Sequence, residues 1–476
     1  MMAQWTTLAK HAPLAAGLVA AVSLALWLFG PEPDFGFAPR VETEDDFRSA
    51  DESAAEPVDL TGELTPGPGL PGAAGGAWPQ FRGPARDNIA PTGSARLARS
   101  WPDSGPPRLW SADVGEGYAG AAIRDGRVYV LDYDMERRGD VLRCLSLDDG
   151  REIWRRFYAV DIRRNHGMSR TVPALAERYV VALGPKSHVT CLDAETGAFY
   201  WGLDLERDHG AETPPWYAGQ CPLVDGDRVI LAPGGPDALL MAVSLETGAI
   251  LWRTPNPRLW RMTHSSVVET EADGVRMFVY CASGGVVGVA ADDGRLLWEY
   301  DGWRIGIANV PTPVPAGDGR LFLSGGYNAG AMMLQVRRDG DAFVAEPLYR
   351  LRPTVSGSVN QTPILYGDHI YHVIPNGQLA CLDLDGATVW TSGSEHRFGI
   401  GPYLIADGLI LLLDDHAVLT AVEATPDAFR IVAQARVLDD GHEAWAPMAL
   451  ADGILVLRDF TRMVALDLTA RQASVR

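Results

Sequence analysis

His166, His209, His264, His396 and His442 are five of the ten histidines in this 476-residue chain. They sit in polar segments that also carry Arg163, Arg164, Arg170, Arg258, Arg261, Arg304 and Arg397, joined by Trp216, Trp260, Trp303 and Trp445. Arginine forks take carboxylates or phosphates in bidentate geometry, and tryptophan supplies rigid apolar area, so such loops can form a recognition surface. The competing structural account is that these side chains fill the loops and pair with local acids such as Asp161, Glu206 and Glu443. The formal net charge is −20, which makes nucleic acid a poor partner. Basic loops on so acidic a chain favour an anionic ligand, an acidic sugar or an acidic segment of a partner protein. If accessible, His166 would add pH dependence near its ordinary value of about 6.5.

Other chemistries find less support. There is no GxSxG nucleophile motif, and no HxH or HExxH metal motif. A metal held by His166 and His264 would need ligands from distant segments to meet, so no metal site is expected. The Gly-rich stretches APGGPD (232–237), SGGV (283–286), SGGYNAG (324–330) and PNGQ (375–378) join apolar runs that read as strands. Phosphate cradles need such stretches at helix starts, so these read as hairpin turns.

The elements that must position these loops repeat along the chain. CLSLDDGREIW (144–154) recurs as CLDAETGAFYW (191–201), AVSLETGAILW (242–252) and GVAADDGRLLW (288–298), with a clipped copy at 381–390. Trp154, Trp201, Trp252, Trp298 and Trp390 are spaced by 47, 51, 46 and 92 residues, the last being twice 46. A fixed period of this size means a propeller or a solenoid. A second turn series runs out of phase: Asp125-Gly126, Glu177-Arg178, Asp225-Gly226, Asp273-Gly274, Asp318-Gly319, Gly367-Asp368, Asp407-Gly408 and Asp452-Gly453. Short Val-, Leu- and Tyr-rich runs flank these turns, as strands do. No helical periodicity appears after residue 80.

Each unit is therefore four antiparallel strands, A to D. The fold class is all-β, an eight-bladed β-propeller. The last blade runs out of chain after VALDL (464–468) and lacks a D strand. RLWSADV (108–114), with Trp110 one period before Trp154, is expected to supply it from the N-terminal side. Ring closure removes exposed strand edges.

The repeat resembles that of the PQQ-like (quinoprotein-type) β-propellers. The resemblance covers about 78–470, and WPQFRGPARDN (78–88) is similar to the lead-in of secreted or membrane-tethered bacterial members. The layout is also similar to that of the eight-bladed scaffold of outer-membrane protein assembly. The resemblance implies that Trp110, Trp154, Trp201, Trp252, Trp298 and Trp390 dock between blades onto the turn glycine of the repeat. Blades five and seven depart, with EPLYRL and FRIVAQ in place of the Trp strand.

This fold hosts both enzymes and scaffolds, so function must come from the site. In a propeller the D–A and B–C loops share one face, at the mouth of the central channel. His166, Ser169, Arg170, Gln220, His264, Asn309, Asn360 and Gln361 lie just before innermost strands and are expected to converge on the axis as ligand-binding groups. No catalytic residue is identified. Two functions follow. One is a binding or scaffold module for a protein partner or an anionic small molecule or sugar, with no cofactor. The alternative is a dehydrogenase of an alcohol or sugar using PQQ with Ca²⁺. Asn309, Asn360 and Glu443 could contribute oxygens, but their spacing is no signature of the Ca²⁺ set.

The address is written at the N-terminus. Residues 14–29, LAAGLVAAVSLALWLF, are apolar or small apart from Ser23, follow Lys10 and His11, and precede an acid-rich stretch. That asymmetry orients the N-terminus inward and the rest outside the cytoplasm. Residues 1–30 are read as a membrane anchor or, alternatively, a cleaved signal that leaves a secreted protein. Residues 31–77 are read as an acidic, disordered linker, 78–107 as a lead-in and 108–476 as the propeller. That places the protein in the cell envelope, on the periplasmic side. Cys144, Cys191 and Cys381 share one position in separate blades, too far apart for a disulfide, so buried free thiols are expected.

Overall fold

Turn chemistry and apolar alternation leave little but short antiparallel strands. The computed structural model describes residues 57–91, 93 and 95–470. Seven antiparallel sheets follow in chain order, at 121–159, 174–204, 223–253, 268–300, 314–351, 364–391 and 403–436. The eighth sheet joins Ala449–Ala451, Ile454–Arg458 and Arg462–Asp467 to Arg108–Asp113, which pairs antiparallel with Arg462–Asp467. The result is an eight-bladed propeller. Among the described residues one helix, Leu205–His209, interrupts the loop after blade 2, where the sequence shows no helical signal. Asp204 caps its N-terminus and Gly210 its C-terminus.

The tryptophans lock neighbouring blades together. A Cβ at Gly150 would lie 2.7 Å from the Trp110 ring, at Gly197 2.8 Å from Trp154, and at Gly248 2.7 Å from Trp201. Trp252 covers Gly294 in the same way. Trp110 and Trp201 also donate their indole N–H to Leu147 O (2.7 Å) and Leu245 O (2.8 Å). Trp110, Trp154, Trp201 and Trp298 are buried, whereas Trp252 and Trp390 are half-buried.

Trp298 differs from the expected docking. It lies across Gly288 of its own blade and directs its indole N–H at Met277 Sδ (3.2 Å), because blade 5 has strands of ten residues that carry its turn away. Trp390 reaches Thr425 O (3.1 Å). In blade 5 Tyr349 takes the missing Trp's place. Its ring covers Gly386 and its hydroxyl donates to Leu384 O (3.1 Å). We expect Tyr349→Phe to cost about 0.5–1.5 kcal/mol, the net worth of one hydrogen bond, by chemical denaturation. A neutral result would show that the ring alone makes the joint.

A second set of joints rings the channel. Backbone amides in the innermost segment of one blade donate to a side chain of the next: Val172 to Cys221 Sγ (3.3 Å), Cys221 to Ser266 Oγ (2.9 Å), Ser266 to Thr312 Oγ1 (3.3 Å) and Thr312 to Thr362 Oγ1 (3.0 Å). These groups are buried, so each pairing satisfies a donor that would otherwise be costly. All five cysteines are buried and free.

The N-terminal side departs from expectation. Residues 31–56 and the apolar run 14–29 lie outside the described residues. The end of the expected linker is ordered: Glu63–Pro66 pairs with Glu152–Ala159 as a fifth strand on the outer edge of blade 1. Its composition has few large apolar groups, and the segment binds through its backbone together with Val58 and Leu60, which pack against the buried cluster around Tyr133 and Tyr158. Gly67, Gly69 and Gly72 donate to Ile153, Glu152 and Gly126 carbonyls, each at 2.8 Å. A side chain at Gly72 would overlap Asp148.

The lead-in then enters the ring of innermost strands. Trp78 exchanges backbone hydrogen bonds with Ile123 of blade 1, and Pro79 O accepts from Leu175 of blade 2. Arg86 reaches Val224 O (3.3 Å) in blade 3 and Glu269 (2.5 Å) in blade 4. Arg82 donates to Pro363 O (3.1 Å) beside blade 6, and Asn88 to Tyr403 O (2.7 Å) of blade 7. Residues 78–90 therefore cross the channel axis among the A strands of six blades.

Candidate functional site at the channel mouth

The D–A and B–C loops gather one aromatic and charged cluster where blades 8, 1 and 2 meet. Tyr118 stacks on Trp445 (ring centroids 5.2 Å apart) and leans on Phe460 (5.5 Å). Its hydroxyl donates to Glu443 Oε2 at 2.5 Å. Burial, then that carboxylate, push the Tyr118 phenol well above its usual range. The Arg170 guanidinium lies 5.5 Å over the Tyr118 ring, and His442 packs 5.9 Å from Phe460. Left-handed backbone occurs in the D–A loops at His166 (φ 46°), Trp216 (64°), Tyr217 (72°) and Glu443 (49°). Such conformations cost of the order of 1–3 kcal/mol each and persist where the surroundings impose them.

The eight residues singled out from the sequence meet different fates. Arg170 donates to the carbonyls of Gly167 (3.0 Å), Met168 (3.3 Å), Asn165 (3.3 Å) and His166 (3.1 Å), so it caps its own loop. Burial lowers its pKa to about 10. His264 is buried, with its ring N 2.8 Å from Pro215 O and Trp216 alongside. Burial and then the Arg170 charge pull it down to about 4, so it is neutral at physiological pH. Gln220 bridges the N–H and C=O of Ala232, and Gln361 donates to Gly401 O at 3.0 Å. Both amides are spent on backbone. His166 is exposed and Asn360 half-buried. The buried Ser169 hydroxyl and both amide atoms of buried Asn309 have no hydrogen-bond partner among the described residues.

The charge pattern also differs from an open positive funnel. Arg164 pairs with Glu116, Arg258 with Glu299 (2.9 Å), Arg261 with Glu212 (3.3 Å) and Arg304 with Asp301 (3.4 Å). Sequence named Asp161, Glu206 and Glu443 as partners. In the fold Asp161 pairs with Arg138 (3.1 Å) and Glu443 binds Tyr118. Arg163 and Arg397 are exposed and take part in no ion pair among the described residues. Arg397 borders a cleft of about 300 Å³ between blades 6 and 7, with Gln361, Asn376, Asp414, Asp415 and His416 around it. Sequence reasoning missed Tyr118 and Phe460, because neither lies in a loop flagged by histidine or arginine.

The PQQ and Ca²⁺ alternative can be tested on the donors present. Among the described residues no three His, Cys, Asp or Glu side chains gather as a metal cluster. Asn309, Asn360 and Glu443 precede blades 5, 6 and 8, and Glu443 already accepts from Tyr118. This set does not fit the oxygen cage that a quinoprotein Ca²⁺ needs.

The architecture defines a PQQ-like, eight-bladed β-propeller whose ring of innermost strands is crossed by residues 78–90. A family model described as outer membrane protein assembly factor BamB matches residues 137–385, just over half of the chain, and the chain belongs to that family. Among similar proteins, the outer membrane protein assembly factor BamB of Shewanella oneidensis is 26% identical over 277 residues, 54% of this chain and 64% of that protein. The chain thus spans somewhat under two thirds of that relative. The Escherichia coli K12 factor of the same name is 26% identical over 378 residues, 74% of this chain and 86% of that protein. In solved structures, BamB from Moraxella catarrhalis superposes with a TM-score of 0.51 at 14% identity, covering 76% of this chain and 99% of that one. A europium-containing methanol dehydrogenase gives 0.55 at 13% identity, covering 82% and 89%. Identities this low speak to the fold alone.

Proposed function

We propose that this chain is a scaffold of outer-membrane protein assembly that holds a partner protein against its D–A and B–C loop face. The observation that carries the reading is the stacked pair of half-buried Tyr118 and Trp445 at the channel mouth, backed by buried Phe460. Tyrosine and tryptophan are enriched among the residues that dominate protein interfaces. Family membership supplies the process. The unpaired cations Arg163 and Arg397 favour an acidic segment on the partner. The apolar run 14–29 tethers the propeller on the periplasmic side. Among the described residues no helix is long and apolar enough to cross a membrane.

Photo-crosslinking checks the face. A benzophenone residue at exposed His166 should capture a component of the outer-membrane assembly machinery. The same probe at Asp318, in an A–B turn on the opposite face, should not. Arg163→Glu combined with Arg397→Glu should weaken capture at least tenfold, since like charge opposed to an acidic segment costs more than a kilocalorie per mole. Capture from Asp318 alone, or no loss in the double variant, would overturn the assignment of the face. Alcohol oxidation by the protein supplied with PQQ and Ca²⁺, read with a redox dye, would replace the scaffold reading altogether.

A further inference from the structure

One cleft on the loop face is lined by charges of both signs that leave each other unpaired. It holds about 300 Å³ between blades 6 and 7. Two B–C turns contribute to it, 374–378 in blade 6 and 414–417 in blade 7, and the D–A loop 392–402 joins the two blades. Its apolar side is Val359, Val373, Ile374, Pro375 and Ile400, and its ionisable groups are Arg397, Asp414, Asp415 and His416. Arg397 is exposed and the two aspartates are half-buried. None of these three takes part in an ion pair among the described residues.

Each aspartate spends one oxygen on the fold. Asp414 Oδ1 accepts from the His416 and Val418 N–H groups, both at 2.9 Å. Asp415 Oδ1 accepts from the Ile400 N–H (3.0 Å) and the Trp445 indole N–H (2.8 Å), so its carboxylate is held in one orientation. The Oδ2 atoms take no part in these bonds, and neither is among the buried polar atoms without a partner. Gly399, which lines the cleft, places Asp415 Oδ2: a Cβ on this glycine (φ 60°) would overlap that oxygen. Gly377 (φ 86°) gives the same close approach to Arg397, whose Cβ lies 3.3 Å from where a Cβ on this glycine would stand.

The balance of charge selects the ligand. A lone carboxylate would meet one guanidinium and two carboxylates, and a lone ammonium would leave Arg397 without a countercharge. A molecule that carries both groups answers both signs by charge-assisted hydrogen bonds. A volume of about 300 Å³ is at the lower end for small-molecule sites, and the apolar side matches a short aliphatic group. We propose that the cleft between blades 6 and 7 binds a small apolar zwitterion of the amino-acid class, with its carboxylate on Arg397 and its ammonium on Asp415 Oδ2. Asp414 adds to the field that favours the ammonium. This site goes beyond the scaffold reading and does not rest on it, although a bound zwitterion would withdraw Arg397 from an acidic partner segment.

The full chain in non-ionic detergent is titrated by calorimetry with L-leucine, with 4-methylpentanoate, which lacks the ammonium, and with 3-methylbutylamine, which lacks the carboxylate. L-Leucine should bind about tenfold or more tightly than either, roughly the factor that one charge-assisted hydrogen bond supplies. Arg397→Gln should abolish the preference over the amine while the amine itself still binds. Asp415→Asn keeps the Oδ1 acceptor for Ile400 and Trp445 and should abolish the preference over 4-methylpentanoate. The comparison of the three compounds on the wild-type protein decides the matter even where a variant fails to fold. No L-leucine binding up to about 10 mM, or equal binding of all three, would overturn the site. Binding of 4-methylpentanoate as tight as that of L-leucine would also overturn it, and would mark the cleft as a seat for an acidic side chain of the partner. None of these outcomes depends on capture from His166, so the scaffold reading and this one fail separately.

Discussion

Trp154→Ala is expected to destabilise the propeller by about 3–5 kcal/mol, as other large buried truncations do. Trp154 is 2% exposed. It stands on the D strand of blade 1, under the fifth strand that pairs Pro66 with it, and its ring covers Gly197 of blade 2. Tyr129 packs 6.0 Å away on the inner side. Its indole N–H is buried without an acceptor among the described residues, so the cost is almost wholly lost packing. Trp154→Phe should therefore lose less than half as much. Gly197 has φ 72° and no room for a methyl group under the ring, so Gly197→Ala is also destabilising. In the Trp154→Ala background the same glycine change should cost less, because the ring it would strike is gone. A double-mutant cycle from denaturation midpoints measures this coupling. A loss under about 1 kcal/mol for Trp154→Ala, or strictly additive changes, would remove the docking role at this joint.

The second large effect is a pH dependence seated between blades 1 and 2. Asp140 is fully buried on the C strand of blade 1 and accepts from the Tyr158 hydroxyl at 2.5 Å, while its other oxygen has no partner among the described residues. The Tyr158 ring meets His188 of blade 2 edge-on at 5.7 Å, and His188 lies 3.7 Å from Asp204. Burial raises the Asp140 pKa to about 7, against the lowering effects of Tyr158 and His188. An unfolded aspartate titrates near about 3.9.

Between these values the folded protein keeps a proton that the unfolded chain has released. Stability is then full below about pH 4 and falls as pH rises through 7, by an amount on the order of 4 kcal/mol. Asp225 acts in the opposite sense and at lower pH. Burial pushes it up, but Arg276 and Arg228 outweigh this and hold it below its usual range. Asp140→Asn keeps an acceptor for Tyr158 and removes the titration. The stability difference between wild type and Asp140→Asn should swing toward the variant by several kilocalories per mole between pH 4.5 and 8. A difference independent of pH would show that Asp140 ionises in the fold as it does in solution.

How much of this was legible differs from part to part. Eight Asp-, Glu- or Gly-containing turns and a Trp at a fixed period are local signals, and they suffice for strands, blade count and the outer joints. The closing strand at 108–114 followed from simple counting. Tyr349 was the exception, since a phenol replaces an indole only where a partner turn, here Gly386, lies within reach. The order of Glu63–Pro66 was illegible because a strand held by main-chain bonds to an existing edge needs almost no apolar composition.

The candidate site divides in the same way. Arg170, His264, Gln220 and Gln361 lie just before innermost strands, and sequence could not tell a ligand-facing group from one bonded to nearby backbone. The partners of Arg164, Arg258, Arg261 and Arg304 lie 48, 41, 49 and 3 residues away, and only the loop geometry selects them. Tyr118 joins Glu443 across 325 residues, a contact that exists only because the ring closes. Sequence by itself determined the repeat, because turn conformation and strand alternation are set by neighbours along the chain. Only the tertiary structure decided the channel plug and the aromatic mouth, because each depends on side chains that curvature of the whole ring brings to one axis.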